Sequence, residues 1–146
     1  MRIKYFILAA VLLLGLQAVS ACAADLETQL IWATRDSTSP NPRHRPVDAD
    51  VARKLAGLPL GWKWPHFFME NRRDFLLATA VQRIELSRKC AVEVRDVGGN
   101  RVEVTLFGNG RLVWRGVQPL PRGEILVLGG NAPGDNAWLV TLKRKD

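Results

Sequence analysis

The stretch from Cys90 to Gly116, CAVEVRDVGGNRVEVTLFGNGRLVWRG, places the tightest constraint on how this chain can fold. It contains three runs in which apolar and polar residues alternate, separated by two glycine-rich turns. Such alternation is typical of a β-strand with one buried face, because successive side chains point to opposite faces of the sheet. The stretch therefore predicts a three-stranded antiparallel meander.

The alternation also predicts how the first two strands of the meander pair. Directly opposed residues of a hairpin lie on the same face of the sheet. A three-residue loop at 98–100 places Val94 opposite Val104 and Arg95 opposite Glu103, so that apolar and charged residues are kept apart. A slip of one residue would turn every valine towards water, and we therefore expect the face pattern to determine the register.

The same reasoning predicts the pairing of the second and third strands. A three-residue loop at 108–110 places Val104 opposite Trp114 and Glu103 opposite Arg115. The Asn-Gly pair in this loop would by itself indicate a two-residue turn, but the face pattern favours the longer loop. We expect a buried apolar row, backed by a solvated ladder of opposite charges.

Shorter patterns outside the meander predict further strands and one helix. Alternating or continuous apolar runs predict strands at Gln29–Thr34, Val81–Ser87, Glu124–Leu128 and Ala137–Leu142. The run at 124–128 is apolar throughout, which is typical of a central strand buried on both sides. The stretch from Asp48 to Ala56 predicts a short helix, since Asp48 is a candidate N-cap and Gly57 follows the last turn.

Taken together, these elements predict a mainly β fold. Short strands at regular spacing, with turn signals between them, indicate an antiparallel β-sandwich or a partly open barrel. We expect about seven or eight strands and one short helix. A chain of 146 residues is long enough for one ordinary globular domain.

Residues 1–24 have the three-part form of a secretory signal peptide. Arg2 and Lys4 precede twelve apolar residues at 5–16, and small residues follow. Twelve residues are too few to span a bilayer core of about 30 Å comfortably. We therefore expect a single β-rich domain over residues 25–146, in an extracytoplasmic location that is either periplasmic or secreted.

The end of this leader allows two kinds of processing. Ordinary signal peptidase cleavage is expected after Ala23 or Ala24, whereas Val19-Ser20-Ala21-Cys22 resembles a bacterial lipobox, in which Cys22 would be lipidated. A strand-like run begins at Leu30, where a tethered lipoprotein usually has a flexible linker, and this favours the ordinary cut. Cys90 then remains as the only thiol, and its inward position predicts a small buried apolar residue.

The stretch at 60–69, LGWKWPHFFM, is the aromatic centre of the chain. Trp62 and Trp64 are two residues apart, and Pro65 favours an extended backbone before it, so both indoles should point the same way. They are interpreted either as a hydrophobic plug at one end of the core or as an exposed stacking platform. The apolar neighbours favour the plug. Trp62, Trp64 and His66 are the candidate binding residues.

The sequence carries no motif for catalysis, metal binding or nucleic-acid binding. It has no nucleophile elbow, no paired histidine or cysteine ligands and no phosphate-binding loop, so we expect no catalytic residue, no metal and no cofactor. Without the two basic leader residues the chain has 19 basic and 14 acidic residues, a net charge of +5. These charges are scattered, and no basic helix indicates DNA or RNA binding.

Two classes of function are therefore expected. The first is a small non-catalytic module of the cell envelope that binds another protein or stabilises an assembly, with a polyanionic envelope polymer as the other partner considered. The second is a glycan-binding module that uses exposed tryptophans, and a small hydrolase is a distant third. Contact with a membrane is expected only through a lipid anchor at Cys22. An unpaired strand edge would favour the first class, and a row of exposed indoles would favour the second.

Overall fold

A computed structural model of the chain describes residues 25–58, 64–132 and 134–146, with the backbone alone described at Asn131. The predicted signal peptide, Cys22 and Trp62 lie outside these residues. The described residues form nine strands and one helix, which are β1 (Leu26–Thr34), β2 (Arg45–Pro46), α1 (Ala49–Ala56), β3 (His66–Phe75), β4 (Gln82–Glu85), β5 (Cys90–Gly98), β6 (Arg101–Gly108), β7 (Arg111–Pro119), β8 (Ile125–Ala132) and β9 (Asn136–Arg144).

The strands form two antiparallel sheets. Sheet A has five strands in the order β2-β3-β1-β9-β8, and sheet B has four in the order β4-β5-β6-β7. The two sheets share no strand and are not closed into a barrel. The prediction of a mainly β, antiparallel sandwich with a short helix is confirmed. β3 is the long strand that the sequence analysis missed.

Sheet A has a packed layer on each of its faces. Between the two sheets lies the first core, whose fully buried residues include Leu26, Val92, Val94, Val104, Leu106 and Leu142. The second core lies on the other face of sheet A, where Ile31 and Leu139 pack with Val51 and Leu55 of α1. Since both faces are covered, β1 is buried along almost its whole length.

Helix α1 is attached to sheet A by apolar and polar contacts. Val51 and Leu55 share one face of the helix and are buried. Asp48 occupies the N-cap position with an extended backbone, although its side chain makes no capping hydrogen bond. Its carboxylate instead accepts a hydrogen bond of 2.9 Å from the side-chain amide of Gln29 in β1. The Asp50 carboxylate pairs with the ammonium of Lys143 in β9, so the helix is joined to two strands.

The prediction that residues 124–128 form a central strand is wrong. In the described part of the chain, β8 pairs with β9 alone and lies at the edge of sheet A. Its apolar run arises because Leu126 packs against the first core and Val127 against the second. The continuous apolar run therefore indicates that both faces of β8 are covered. It does not indicate that β8 lies in the centre of the sheet. β8 also continues beyond the predicted run, through Gly129 and Gly130 to Ala132.

The predicted register of the first hairpin is confirmed. Val94 lies opposite Val104, and Arg95 lies opposite Glu103. The loop is shorter than expected, because a two-residue turn at 99–100 is combined with a bulge between Asp96 and Gly98. The bulge adds the residue that the turn lacks, and the faces of the two strands stay matched.

The predicted register of the second hairpin is wrong by two residues. The pairs observed between β6 and β7 are Val104–Gly116, Thr105–Arg115 and Leu106–Trp114. Asn109 and Gly110 both have positive φ, 52° and 73°, and form a two-residue turn. A bulge at Val113 then shifts the register, so that Trp114 still faces the first core.

Candidate functional site

A cleft of about 580 Å³ opens between the two sheets at one end of the sandwich. We call it the tryptophan cleft, because Trp32 of β1 and Trp138 of β9 line it from sheet A. Sheet B contributes Val113 and two turns, one at 86–89 and one at 109–110. The cleft thus lies where the turns of sheet B meet the strand ends of sheet A.

The two indoles are brought together by the pairing of β1 with β9. Trp32 lies directly opposite Trp138 in this pair, so both side chains are on the same face of sheet A. It is the face on which Leu30 and Val140, two residues away in each strand, enter the first core. Both tryptophans are half-buried. The cleft is therefore a continuation of the first core that is open to solvent.

The indole of Trp138 packs closely against the backbone at two glycines, Gly130 and Gly108. Gly130 lies opposite Trp138 in β8, and a Cβ at Gly130 would come within 2.6 Å of the indole. A Cβ at Gly108 of sheet B would come within 3.2 Å of the same ring. The ring is packed against backbone of both sheets, and a side chain at Gly130 would displace it. The position of the indole is consequently well determined before any ligand arrives.

Polar groups form the rim of the cleft. Glu70 is the extra residue of a bulge in β3, since Leu30 pairs with Asn71 and Ile31 pairs with Met69. Bulges often re-aim a side chain beside a functional site. The N–H of Asn109 donates to the carbonyl oxygen of Lys89, 2.7 Å away, and this bond joins the two turns of sheet B.

Cys90 lies at the inner end of the cleft and is 6% exposed. Burial, with a smaller contribution from the negative charge of Glu70, raises the pKa of its thiol to about 11. The thiol therefore remains protonated at neutral pH, whereas the thiolate is the nucleophile. No histidine is among the residues that line the cleft in the described part of the chain. The prediction that Cys90 is a small buried residue is confirmed.

Ser39, His44 and Glu70 come together in space, although nothing in their spacing predicted it. The Ser39 hydroxyl lies 2.6 Å from Nδ1 of His44, and Nε2 of His44 lies 4.0 Å from the Glu70 carboxylate. The latter distance exceeds a hydrogen bond. The Ser39 hydroxyl also bonds the backbone of Asn41 within its own loop, and Ser39 does not line the tryptophan cleft. The arrangement ties the 37–46 loop to β3 and keeps the hydroxyl within hydrogen-bonding distance of its own loop.

A second exposed surface lies on β7, the edge strand of sheet B. Among the residues that the structure describes, β7 pairs with β6 alone along its nine residues. Three of its apolar side chains are exposed, Leu112 at 59%, Val113 at 42% and Val117 at 38%. We call this strand and these three side chains the β7 edge. Such an edge offers unpaired backbone N–H and C=O groups together with apolar surface.

The outer face of sheet B carries the predicted charge ladder. Arg95 makes two hydrogen bonds to Glu103, at 3.0 Å and 3.3 Å, and Arg115 lies 3.4 Å from the same carboxylate. Arg115 reaches Glu103 diagonally, because its opposed residue is Thr105. The bonds from Arg95 hold the pKa of Glu103 below its usual value. Arg95 and Arg115 thus share the single negative charge of Glu103, and the group of three keeps one net positive charge.

Trp64 and His66, the two predicted binding residues that the structure describes, do not line the tryptophan cleft, and Trp62 lies outside the described residues. Trp64 packs against the second core, on the opposite face of sheet A, and its indole N–H donates to the carbonyl oxygen of Asp135 at 2.8 Å. His66 begins β3 opposite Thr34 and is half-buried. No sequence motif indicated Trp32 and Trp138 as binding residues. Each follows the inward parity of its own strand, but only the pairing of β1 with β9 brings them together.

Two further findings concern the described part of the chain. Within residues 25–58, 64–132 and 134–146, no three or more His, Cys, Asp or Glu side chains are arranged to hold a metal ion. No helix among the same residues has the length and apolar character needed to cross a bilayer. Compared with known proteins, the chain matches no protein-family model, and no curated protein or solved structure gives a significant match.

Proposed function

We propose that the chain is a non-catalytic, extracytoplasmic module that binds another protein through the β7 edge. The observation that carries this proposal is that β7 pairs on one side only within the described part of the chain, while Leu112, Val113 and Val117 remain exposed. An extended segment of a partner can add to such an edge as a further strand. Backbone hydrogen bonds then provide affinity, and alternate side chains provide specificity.

The charges of the β7 edge define the chemistry of this partner. Arg111 and Arg115 lie on the strand beside the exposed apolar residues. A second copy of β7, paired antiparallel about Val113, would place Arg111 opposite Arg115 twice, and like charges in direct opposition are destabilising. The proposed occupant is therefore a different envelope protein, with an extended segment that carries acidic and apolar residues.

The leader supports the proposed location. Residues 1–24 have the form of a signal peptide, and we favour an ordinary cut after Ala23 or Ala24 over lipidation at Cys22. Intact-mass measurement of the exported protein distinguishes the two, since a diacylglycerol adduct on Cys22 would establish the lipoprotein form.

The non-catalytic character is supported by the chemistry of the nearest catalytic candidates. The Cys90 thiol has a raised pKa and faces no histidine in the described part of the cleft. The Ser39 hydroxyl is held within its own loop. Cys90 lines the tryptophan cleft without a histidine beside it, and Ser39 has His44 beside it but does not line that cleft, whereas nucleophilic catalysis requires a base and a substrate site together.

Site-specific photo-crosslinking tests the proposed interface. A photoreactive amino acid is introduced at Val117 of the full chain, or at Leu76, which is exposed to a similar extent but lies outside β7. Irradiation of whole cells should give a discrete protein adduct from position 117 and none from position 76. Adducts of equal yield from both positions, or none from position 117, would overturn the proposal.

The introduction of a negative charge adds a second, chemical test. Leu112→Glu places a negative charge beside the proposed acidic segment and should lower the yield of the position-117 adduct by about tenfold. The matched change Leu76→Glu should leave the yield unaltered. If Leu112→Glu strengthened capture, the partner would not be acidic. A position-117 adduct containing an envelope polysaccharide rather than a protein would establish the polyanionic polymer as partner instead.

A further inference from the structure

The tryptophan cleft has the properties of a small-ligand site that is separate from the β7 edge. Its volume of about 580 Å³ lies within the range of about 300–1,000 Å³ that is usual for ligand pockets. Such pockets combine aromatic walls with a few fixed polar groups. Here Trp32 and Trp138 supply the aromatic wall, and Glu70, Lys89 and Asn109 supply polar groups at the rim.

We infer that the tryptophan cleft binds a neutral carbohydrate. A sugar ring has apolar C–H faces that stack on an indole and a border of hydroxyl groups that need both donors and acceptors. The cleft offers matching partners, because Glu70 accepts, Lys89 donates and the amide of Asn109 does both. The ring of Trp138 already packs against Gly130 and Gly108, so its side chain loses little conformational entropy when a ligand binds.

The charges on the rim argue against other classes of ligand. Glu70 and Lys89 contribute one negative and one positive charge, so the rim favours neither an anion nor a cation. A fatty acyl chain would fit the apolar walls but would cover these charged groups without giving them hydrogen bonds, which is unfavourable. A ligand that is apolar on its faces and hydroxylated at its border meets both requirements.

The tryptophans of this cleft differ from the pair that the sequence pattern indicated for sugar binding. Trp64 packs on the other face of sheet A. Trp32 and Trp138 instead form a cross-strand pair on the face that opens to the cleft. The cleft shares only Val113 with the β7 edge, and the two sites can therefore be tested with separate variants.

The experiment titrates the full chain with neutral tetrasaccharides, namely tetra-N-acetylchitotetraose, cellotetraose, maltotetraose and mannotetraose. Tryptophan fluorescence and saturation-transfer NMR measure binding, with an anionic heparin tetrasaccharide and dodecanoate as comparison ligands. At least one neutral tetrasaccharide should bind saturably. Saturable binding of dodecanoate or the heparin tetrasaccharide without any neutral one, or of no ligand at all, would overturn the inference.

Variants then place the binding in the cleft. Trp32→Phe and Glu70→Gln should each weaken binding of that tetrasaccharide by about tenfold. Glu70 is exposed at the rim, so its variant tests the site even if the Trp32 variant folds poorly. Trp64→Phe, the matched change on the opposite face, should retain the original affinity. Unchanged affinity in both cleft variants would place the sugar elsewhere and overturn the inference.

The two proposals fail independently. Leu112→Glu should leave sugar affinity unchanged, because Leu112 does not line the tryptophan cleft. Glu70→Gln should leave the photo-crosslink from position 117 unchanged, because Glu70 lies on sheet A. Loss of both signals in both variants would contradict the separation of the sites.

Discussion

At the scale of single residues, Trp64 connects the second core to the turn that precedes β9. Its indole packs on that core and donates to the Asp135 carbonyl oxygen at 2.8 Å. Replacing a fully buried tryptophan by alanine costs about 3–5 kcal/mol. Since Trp64 is half-buried, we expect Trp64→Ala to lower the free energy of unfolding by about 2 kcal/mol, with a lower melting temperature.

Trp64→Phe is the control for this prediction. It keeps an aromatic ring and removes the N–H that bonds Asp135, so it should lower the free energy of unfolding by only about 1 kcal/mol. Thermal and denaturant unfolding measure both variants. If Trp64→Ala melted like the wild type, the interpretation of this residue as a plug would be wrong.

Cys90 provides a pH-dependent prediction at the same scale. Burial, with a smaller effect of Glu70, raises the pKa of the folded thiol to about 11 from its ordinary value of 9.0. The folded state therefore binds the proton more tightly than the unfolded state does. The contribution of the thiol to stability is complete below pH 9 and is lost as the pH rises towards 11.

Thiol labelling checks this assignment. At pH 8 the native protein should react with a disulfide reagent far more slowly than the protein in denaturant. Glu70→Gln removes a negative charge, so it should lower the pKa of Cys90 and speed the labelling of the native protein. Rapid stoichiometric labelling of the native wild type would contradict both the burial and the raised pKa.

At the scale of elements, turn chemistry and face pattern compete, and bulges reconcile them. Alternation correctly predicted that Val94, Val104 and Trp114 face the first core. It could not predict the register of the second hairpin, because the bulge at Val113 is invisible in the pattern. The Asn-Gly pair held the stronger local information, since a two-residue turn with two positive φ values suits these residues.

β3 was missed for a different physical reason. Its second half, Asn71 to Asp74, reads as a polar loop. In the fold, Arg72 pairs with the buried carboxylate of Glu27 in β1, and Asn71 donates a hydrogen bond of 2.6 Å to the Leu86 carbonyl oxygen. These polar residues therefore have tertiary partners that a single-sequence pattern does not show.

The turn at 109–110 can be tested with a pair of glycine substitutions. Gly110 has φ of 73°, and a Cβ there would contact nothing within 4 Å, so Gly110→Ala introduces backbone strain alone. We expect the free energy of unfolding to fall by about 1 kcal/mol. Gly57 at the end of α1 has φ of −88°, and Gly57→Ala should be neutral or slightly stabilising. Denaturant unfolding measures both, and equal losses would argue against the two-residue turn.

At the scale of the whole molecule, the fold has three layers, with sheet A between sheet B and α1. The mainly β class, the helix and most strands followed from local patterns. The tryptophan cleft did not, because its walls come from strand ends and turns that are distant in sequence and meet only when the sheets stack. The residues selected beforehand were conspicuous aromatic neighbours in the chain, whereas Trp32 and Trp138 are neighbours only across strands.

The attachment of the outer layer to sheet A gives the last prediction. Hydrogen bonding to Lys143 holds the pKa of Asp50 below its ordinary value of 3.8. The same bond raises the pKa of Lys143 above its ordinary value of 10.5. Asp50 therefore contributes stability above pH 4, which is lost as the pH falls further, and Lys143 contributes stability that is lost above pH 10.5. Each side chain is 31% exposed, so solvent screens the pair.

Asp50→Asn should lower the free energy of unfolding by about 0.5–1 kcal/mol at neutral pH, and the difference should shrink as the pH falls below 3.8. Glu85→Gln is the matched control, because Glu85 pairs with Arg83 on the open face and is 67% exposed. It should change stability by less than about 0.3 kcal/mol. Asp50 also lies in the first turn of α1, where the helix dipole favours a negative charge. A double-mutant cycle with Lys143→Gln separates that effect from the ion pair. A coupling energy of zero at neutral pH would mean that the helix is held on sheet A by Val51 and Leu55 without help from this pair.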